Sequence, residues 1–151
     1  ASEKRTGHRN RSIAYLLKSN NQIKGKIDDV LENYFFFCSY EVSPRQASYL
    51  PMLLANEGKS PDGKQIFSKK TAHQVLSIMS TCGLYNDSGR HLVRSGIPSK
   101  SSVSGYILAA VPGKAGIATF SPCVNHKGTS VRGELMLADM SERMHWHFAD
   151  R

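Results

Sequence analysis

The sequence predicts an α+β fold in which helices pack on a small antiparallel sheet. Apolar residues recur at helical spacing through the first half of the chain. Runs typical of strands come later and are joined by a short connection, which favours antiparallel pairing. A last amphipathic segment predicts a helix that covers the sheet.

Two helices are expected to open the chain. Ile13, Leu16 and Leu17 form a short apolar stripe, and a longer stripe follows at helical intervals. Asn20 and Asn21 mark the turn between the two helices. The longer stripe consists of Ile27, Val30, Leu31, Tyr34 and Cys38.

Two further helices are expected in the middle of the chain, each with a serine at its start. Ser43 reads as the N-cap of a helix over residues 44–56, which begins with proline and which Pro51 should kink. A loop rich in glycine, proline and aspartate follows. Ser68 then caps a helix that ends at Gly83. The apolar face of this helix carries Ala72, Val75, Leu76 and Met79.

Strands are expected at residues 92–94, 103–111 and 117–120, the last two joined by the turn sequence PGKAG. The segment GLYNDSG before them has the residues of a turn around one aromatic, Tyr85. A closing helix follows the strands. Its expected core face carries Gly133, Met136, Leu137, Met140 and Met144.

Composition argues against a membrane protein or a metal protein. No apolar run approaches the ~20 residues that cross a bilayer, and the first ten residues lack the apolar core of a secretory signal. The three cysteines include no CxxC pair, which favours a reducing cytoplasm over structural zinc. His145 and His147 are two residues apart and would not share one helix face, so no metal site is expected.

The net charge of +8 raises the question of nucleic-acid binding, because lysine and arginine contacts to phosphate supply most nonspecific affinity. The basic residues cluster only at EKRTGHRNR and are otherwise scattered among acidic ones. The aromatic-rich strands of an RNA-binding sheet are absent from the sequence. We therefore expect no nucleic-acid partner, although a basic binding domain remains one alternative.

Lys100 and Ser101 stand just before the predicted strand at residues 103–111. In penicillin-recognising serine hydrolases, a Lys-[Ser/Thr]-Gly triplet on a strand beside the active site supplies a cation, a hydroxyl and close backbone approach. The segment KSS resembles that triplet, with Ser102 in the position of the glycine. Lys100 and Ser101 are therefore expected to support an active site.

Four longer segments resemble the serine-dependent glutaminase family in order and spacing: LLANEGKSPDGKQIFS, MSTCGLYNDSG, GIPSKSSVSGYILAAVPG and FSPCVNHKGTSVRG. The segments SEKRTGHRN and LENYFFFCSYEVS fit the region just before them. The resemblance covers nearly the whole chain. It implies that residues 1–151 are the carboxyl-terminal portion of one catalytic domain with a fold like that of serine β-lactamases and penicillin-binding proteins.

The resemblance also implies an activity. Enzymes of this family hydrolyse the side-chain amide of L-glutamine to L-glutamate and ammonia through an acyl-serine intermediate, without a metal or organic cofactor. Their nucleophile lies in a Ser-x-x-Lys motif, and no serine of this chain has lysine three residues later. The family places that motif upstream of Glu3. Homo-oligomers in the cytoplasm are also expected from the resemblance.

The resemblance assigns roles to individual residues. Glu3 and Asn10 match a pair that lines the amino-acid pocket, where an acid can hold the substrate ammonium. Tyr34 matches a tyrosine that contacts the substrate. Tyr85 matches the tyrosine proposed to shuttle protons around the nucleophile, which requires nearby cations such as Lys100. Val103, the fifth matched residue, would give its backbone N–H to the oxyanion hole.

The sequence also departs from the family pattern. Ser102 and Tyr106 replace glycines, and their side chains could crowd a pocket. Thr129 stands where the family usually has asparagine, and Pro51 interrupts a helix that is normally continuous. A noncatalytic interaction module with the same fold is therefore an alternative to the enzyme.

Overall fold

The computed structural model describes residues 2–150, and side chains from residue 4 onward. It forms two compact units, which divide between Glu41 and Val42. None of the described helices is both long and apolar enough to cross a lipid bilayer.

The first unit contains three helices, α1 (Ser2–Thr6), α2 (His8–Ser19) and α3 (Ile27–Phe37). Its small core consists of Ala14, Leu31 and Phe35, with Ile23 and Ile27 packed against them.

Helices α2 and α3 were expected, but their buried faces differ from the prediction. Ile13, Leu16 and Leu17 are all more than 40% exposed, and α2 buries Ala14 instead. In α3, Leu31 is buried as expected, whereas Tyr34 is exposed and Phe35 is buried. The aromatic run YFFF offers an apolar side chain on every face of α3, so periodicity alone could not select the buried one.

The second unit holds a three-stranded antiparallel sheet between helices. In chain order its elements are α4 (Pro44–Ala47), α5 (Tyr49–Ala55), α6 (Lys69–Cys82), α7 (Ser88–Ser95), β1 (Ser99–Ser101), β2 (Tyr106–Val111), β3 (Ala115–Phe120) and α8 (Val131–Met144). The strand order is β1-β2-β3, with Lys100 opposite Leu108 and Ala109 opposite Ile117.

The central strand β2 supplies both faces of the sheet to the core. Ile107, Ala109 and Val111 pack with Leu137 of α8 on one face. Ala110 points to the other face and packs with residues of α5 and α6, among them Leu54 and Met79. This alternation follows from the two-residue period of a strand. The sheet is thus covered on both faces, which agrees with the continuous apolar run of β2.

Gly116 permits the close contact between α5 and β3. A Cβ atom at this position would lie 2.0 Å from the backbone N of Met52. Only glycine therefore lets the helix backbone rest directly on the strand.

The helix predicted after Ser68 and the predicted closing helix are confirmed as α6 and α8, and the structure adds Ser130 as the cap of α8. The Oγ atoms of Ser68 and Ser130 accept from the N–H groups of Thr71 and Gly133, which places each serine at the start of its helix. The helix predicted over residues 44–56 is divided at Ser48. The predicted helix is therefore interrupted three residues before Pro51, which lies in the first turn of α5, where its missing N–H costs no intrahelical hydrogen bond.

One predicted strand is a helix, and another is present but begins later than predicted. Residues 92–94 belong to α7, whose buried face carries the polar residues His91 and Ser95 and therefore has no apolar stripe to detect. The strand predicted from Val103 begins instead at Tyr106, because residues 102–105 form a turn. The polar strand β1 was not predicted as a strand, since its serines resemble a loop.

Candidate active site

Tyr85 opens a short 3₁₀ turn, Tyr85–Asp87, between α6 and α7. Its φ of 52° lies in the left-handed region, where a residue with a bulky side chain is strained. Ser88 braces the turn, since its hydroxyl donates to the carbonyl of Tyr85 at 2.8 Å and accepts from the N–H of Leu84 at 2.8 Å. Tyr85 is 51% exposed. Such strain on a braced, exposed turn is a feature of functional sites.

Lys100 lies over the ring of Tyr85. Its Nζ is 4.8 Å from the ring centroid, within the range of a cation–π interaction. The amine also donates to the carbonyl of Ser101. Partial burial disfavours the charged amine and lowers the pKa of Lys100. The structure therefore brings together the cation and the phenol that the sequence separates by 15 residues.

Ser101 faces away from Lys100 because neighbouring residues of a strand point to opposite sides. It is buried, its N–H donates to the carbonyl of Gly83 at 3.1 Å, and its hydroxyl lies 3.4 Å from the same oxygen. Ser101 thus ties β1 to the end of α6. This tie holds the strand that carries Lys100.

Val103 lies in the turn between β1 and β2. The backbone of Ser102 closes this turn. Its carbonyl accepts from the N–H of Gly105 at 3.0 Å, and its N–H donates to the carbonyl of Tyr106 at 2.8 Å. The Val103 side chain is exposed. Within the part of the chain that the structure describes, the Val103 N–H donates to no other group. An unpaired N–H in a fixed turn is suited to bind an oxyanion.

Gly128 brings Val103 and Tyr85 into one site. This glycine has a φ of 85°, in a loop between β3 and α8. A Cβ atom there would lie 3.1 Å from Cγ1 of Val103 and 3.8 Å from Cε2 of Tyr85. Tyr85, Lys100 and Val103 therefore surround one region of the second unit.

The three residues expected in the amino-acid pocket belong to the first unit. Glu3 lies in α1, and its side chain is outside the described residues. Asn10 lies in the first turns of α2 and is partly buried. Tyr34, on α3, is 45% exposed, and its ring packs edge-to-face on Phe35 at 5.7 Å. Their roles remain predictions.

Tyr106 and Ser102, two of the side chains that depart from the family pattern, have hydrogen-bond partners of their own. The Tyr106 hydroxyl donates to the carbonyl of Val42 at 2.6 Å, and its ring packs on Phe120 at 4.5 Å. The Ser102 hydroxyl pairs with that of Ser104 at 2.8 Å. Thr129 is fully buried and its N–H donates to Asn125 Oδ1 at 3.1 Å.

Sequence reasoning missed a buried charged network behind Tyr85. The carboxylates of Asp87 and Glu134 are both nearly inaccessible. Lys127 Nζ donates to Asp87 Oδ1 at 2.7 Å, and Arg90 donates to Glu134 at 3.0 Å while its Nε lies 3.5 Å from Asp87. The hydrogen bond from Lys127 is the main cause that lowers the pKa of Asp87. In the sequence, this network is indicated only by the spacing of Asp87 and Arg90, an acid and a base three residues apart.

His91 lies next to this network and bonds to two buried serines. Its Nε2 lies 2.9 Å from Ser99 Oγ and 3.0 Å from Ser95 Oγ. Its Nδ1 lies 4.0 Å from Glu134 Oε1, beyond hydrogen-bond distance. Burial in this position disfavours the imidazolium and lowers the pKa of His91 to about 4.

Acidification from pH 7 to pH 5 should therefore lower the free energy of unfolding by about 2 kcal/mol through His91 alone. The unfolded histidine titrates near its ordinary pKa of 6.5, so between pH 6.5 and about 4 the unfolded state binds a proton that the folded state excludes. Urea unfolding of wild type and His91→Asn at both pH values checks this. The variant should be less stable at pH 7 but lose less on acidification. Equal losses in the two proteins would contradict a neutral buried His91.

Among the described residues, no three histidine, cysteine, aspartate or glutamate side chains lie close enough together to hold a metal ion.

Comparison with known proteins identifies the family. The family model described as "Glutaminase" matches residues 1–148. A glutaminase of Legionella pneumophila is 57% identical over 150 residues, which are 99% of this chain and 48% of the relative. Glutaminase 2 of Clostridium perfringens is 45% identical over 144 residues. The chain thus spans about half the length of the curated relatives it matches.

Solved structures agree with the fold. A Bacillus subtilis glutaminase, captured as a covalent complex with 5-oxo-L-norleucine, matches 97% of this chain with a TM-score of 0.92 and 33% identity. This chain covers 53% of that protein. A Bacillus glutaminase in 4.3 M NaCl also gives a TM-score of 0.92 at 33% identity, with 51% of its chain covered. The α+β class and the serine β-lactamase-like fold are confirmed. The chain belongs to the glutaminase family.

Proposed function

We propose that this chain is the carboxyl-terminal portion of an enzyme that hydrolyses L-glutamine to L-glutamate and ammonia. The observation that carries the proposal is that Lys100 lies over the ring of Tyr85, while Tyr85 and Val103 both lie against Gly128. The Val103 N–H has no partner among the described residues. A phenol, a cation and a fixed N–H donor are the groups that amide hydrolysis through an acyl-serine needs beside its nucleophile. The covalent complex of the Bacillus subtilis relative supports a nucleophilic mechanism.

In the proposed reaction, a serine from a Ser-x-x-Lys motif attacks the side-chain amide carbon of glutamine, and its hydroxyl proton passes to the lysine of that motif. The Val103 N–H, with the N–H of that serine, stabilises the negative oxygen of the tetrahedral intermediate. Tyr85 donates a proton to the departing amide nitrogen, which leaves as ammonia, and the phenolate then accepts a proton from the water that hydrolyses the acyl-serine. The motif lysine returns its proton to the serine oxygen as the acyl-serine breaks down. The charge of Lys100 beside the ring favours the phenolate that this exchange forms.

The decisive experiment is ammonia release from glutamine by the full-length enzyme, made as this chain preceded by the amino-terminal half of a relative. The Legionella pneumophila glutaminase, 57% identical over the matched residues, is suited to supply that half. Hydrolysis of glutamine in preference to asparagine would support the proposal. A folded enzyme that binds glutamine and releases no ammonia would contradict it and favour the noncatalytic module.

Glu3→Gln in the full-length enzyme should raise KM for glutamine more than it lowers kcat. We propose, from the family resemblance, that Glu3 holds the substrate ammonium, and such a contact exists in both the ground state and the transition state. Steady-state kinetics check this, with Lys4→Gln, a charge change at the next position, as the control. A constant KM with a large loss in kcat would show that Glu3 takes part in the chemistry.

We also propose that the full-length enzyme is a cytoplasmic homo-oligomer. The three cysteines, Cys38, Cys82 and Cys123, are all free and exposed, which suits a reducing compartment. The oligomer is expected from the family resemblance, and light scattering of the full-length enzyme would test it.

A further inference from the structure

We propose that the ion pair between Asp87 and Lys127 positions Tyr85 and the Val103 N–H for the reaction, so that Asp87 and Lys127 are positioning residues. The inference rests on the proposed function, because it assigns these two residues a role relative to Tyr85 and Val103. It extends that function, since the family resemblance assigned no role to Asp87 or Lys127.

Asp87 is part of the turn that presents Tyr85. It ends the 3₁₀ turn that Tyr85 opens, and its N–H donates to the carbonyl of Leu84 at 2.9 Å. Its carboxylate is nearly inaccessible. Tyr85 and Asp87 are two residues apart in one short turn, and each residue has only two rotatable backbone bonds. A shift of the Asp87 side chain should therefore change the strained backbone at Tyr85.

Lys127 is the main counter-charge of this buried carboxylate. Its Nζ lies 2.7 Å from Asp87 Oδ1. The other candidate, Arg90, is 3.5 Å away through Nε and bonds to Glu134 at 2.9 Å through its terminal nitrogen. The second oxygen, Asp87 Oδ2, has no hydrogen-bond partner among the described residues. Loss of Lys127 would therefore leave a buried charge largely uncompensated, and the turn would move to hydrate it.

The loop that carries Lys127 is tightly folded around one asparagine. The side-chain oxygen of Asn125 accepts from the N–H groups of Lys127 at 2.9 Å and Thr129 at 3.1 Å. Its carbonyl accepts from the N–H of Gly128 at 2.9 Å. Lys127 and Gly128 therefore move together. Since Gly128 lies against Val103 and Tyr85, the ion pair sets the distance between this loop and the Tyr85 turn.

A single contact thus joins two loops that are 40 residues apart in the sequence. One loop carries the proposed proton shuttle, and the other lies against the proposed oxyanion donor. A displacement of about 1 Å in such groups can cost on the order of 10²-fold in rate. The effect should fall on kcat, because the glutamine-binding residues proposed above belong to the other unit.

Lys127→Met in the full-length enzyme should lower kcat by about 10-fold to 10²-fold and change KM by less than about twofold. Lys127→Arg, which keeps the charge, should restore most of the rate. Lys69→Met is the matched control, because it also removes a lysine that pairs with a carboxylate, Glu57, at 2.6 Å on an exposed surface. It should retain wild-type kinetics. Unchanged kcat in folded Lys127→Met, or a rise in KM alone, would overturn the inference.

A second variant covers the case in which Lys127→Met does not fold. The double variant Asp87→Asn/Lys127→Met removes both charges and leaves no buried ion unpaired. It should fold and keep the kcat defect. Wild-type kcat in the double variant would overturn the inference.

Coupling to Tyr85 separates positioning from a general loss of structure. In a Tyr85→Phe background, Lys127→Met should lower kcat by clearly less than it does in the wild-type enzyme, because the share that acts through Tyr85 is already lost and only the share that acts through the Val103 N–H remains. Two full, independent losses would overturn the inference.

Hydrogen exchange tests the positioning without any activity. Lys127→Met should exchange amide protons faster than wild type at residues 84–88 and 102–106, while Lys69→Met should not. Equal exchange in wild type and Lys127→Met would overturn the inference. If the wild-type enzyme released no ammonia, the proposed function would fall, and this measurement would still decide whether the ion pair holds the two loops.

Discussion

Tyr85→Phe in the full-length enzyme should lower the turnover of glutamine by about 10² to 10⁴, the usual contribution of a general acid or base. The substitution removes only the ionisable hydroxyl. The ring stays under Lys100, whose amine lies 4.8 Å from its centroid, so the cation–π contact is retained. The bracing bonds from Ser88 go to the backbone of Tyr85 and Leu84 and are also retained. The loss should therefore appear in kcat. The variant should keep the thermal unfolding temperature of the wild-type enzyme.

Tyr49→Phe is the matched control, because Tyr49 lies in the same unit and is similarly exposed, at 48% against 51% for Tyr85. It should keep the wild-type rate. A Tyr85→Phe enzyme that is folded and turns over glutamine normally would remove Tyr85 from the mechanism. A rise in KM with normal kcat would instead make it a binding residue.

The parts of the fold that could be predicted are those in which local chemistry and burial agree. Ser43 and Ser68 cap α4 and α6 as predicted, and the apolar run of β2 is buried on both faces. Helix α7 could not be recognised, because its inner face is made of His91 and Ser95, which hydrogen-bond to each other. A buried polar face is stable only with partners from elsewhere in the chain, and the sequence does not show those partners.

The candidate site shows the same division. Tyr85, Lys100 and Val103 could be selected because each stands in a motif of the family. The structure adds that Lys100 lies over the Tyr85 ring and that Tyr85 and Val103 both lie against Gly128. The pairing of Asp87 with Lys127 could not be predicted, since 40 residues separate them and each residue suits a solvated turn. Long-range ion pairs leave no periodic pattern in a sequence. They are recognised only when burial shows that one partner has no access to water.

We expect this chain, purified alone, to release no ammonia from glutamine. None of its serines has lysine three residues later, so it lacks the motif in which the family carries its nucleophile. Ser101, the serine beside Lys100, is an unsuitable substitute, because it is buried and its hydroxyl faces the carbonyl of Gly83. The Val103 N–H would also act without the second donor that the nucleophile provides. Loss of one oxyanion donor typically costs ~2.7 to 4 kcal/mol, before the covalent step itself is lost.

Addition of an amino-terminal half that bears Ser-x-x-Lys, in the same chain or as a separate fragment, should restore ammonia release. The control is the same half with its motif serine replaced by alanine, which can complete the fold but cannot attack the amide. Activity with the serine and none with the alanine would show that this chain contributes the shuttle and one oxyanion donor to a nucleophile supplied from outside it. The contrary result is ammonia release by this chain alone that is insensitive to chelators and abolished by Ser101→Ala. That result would require β1 to turn its buried face outward, so that Ser101 replaces the missing serine beside Lys100.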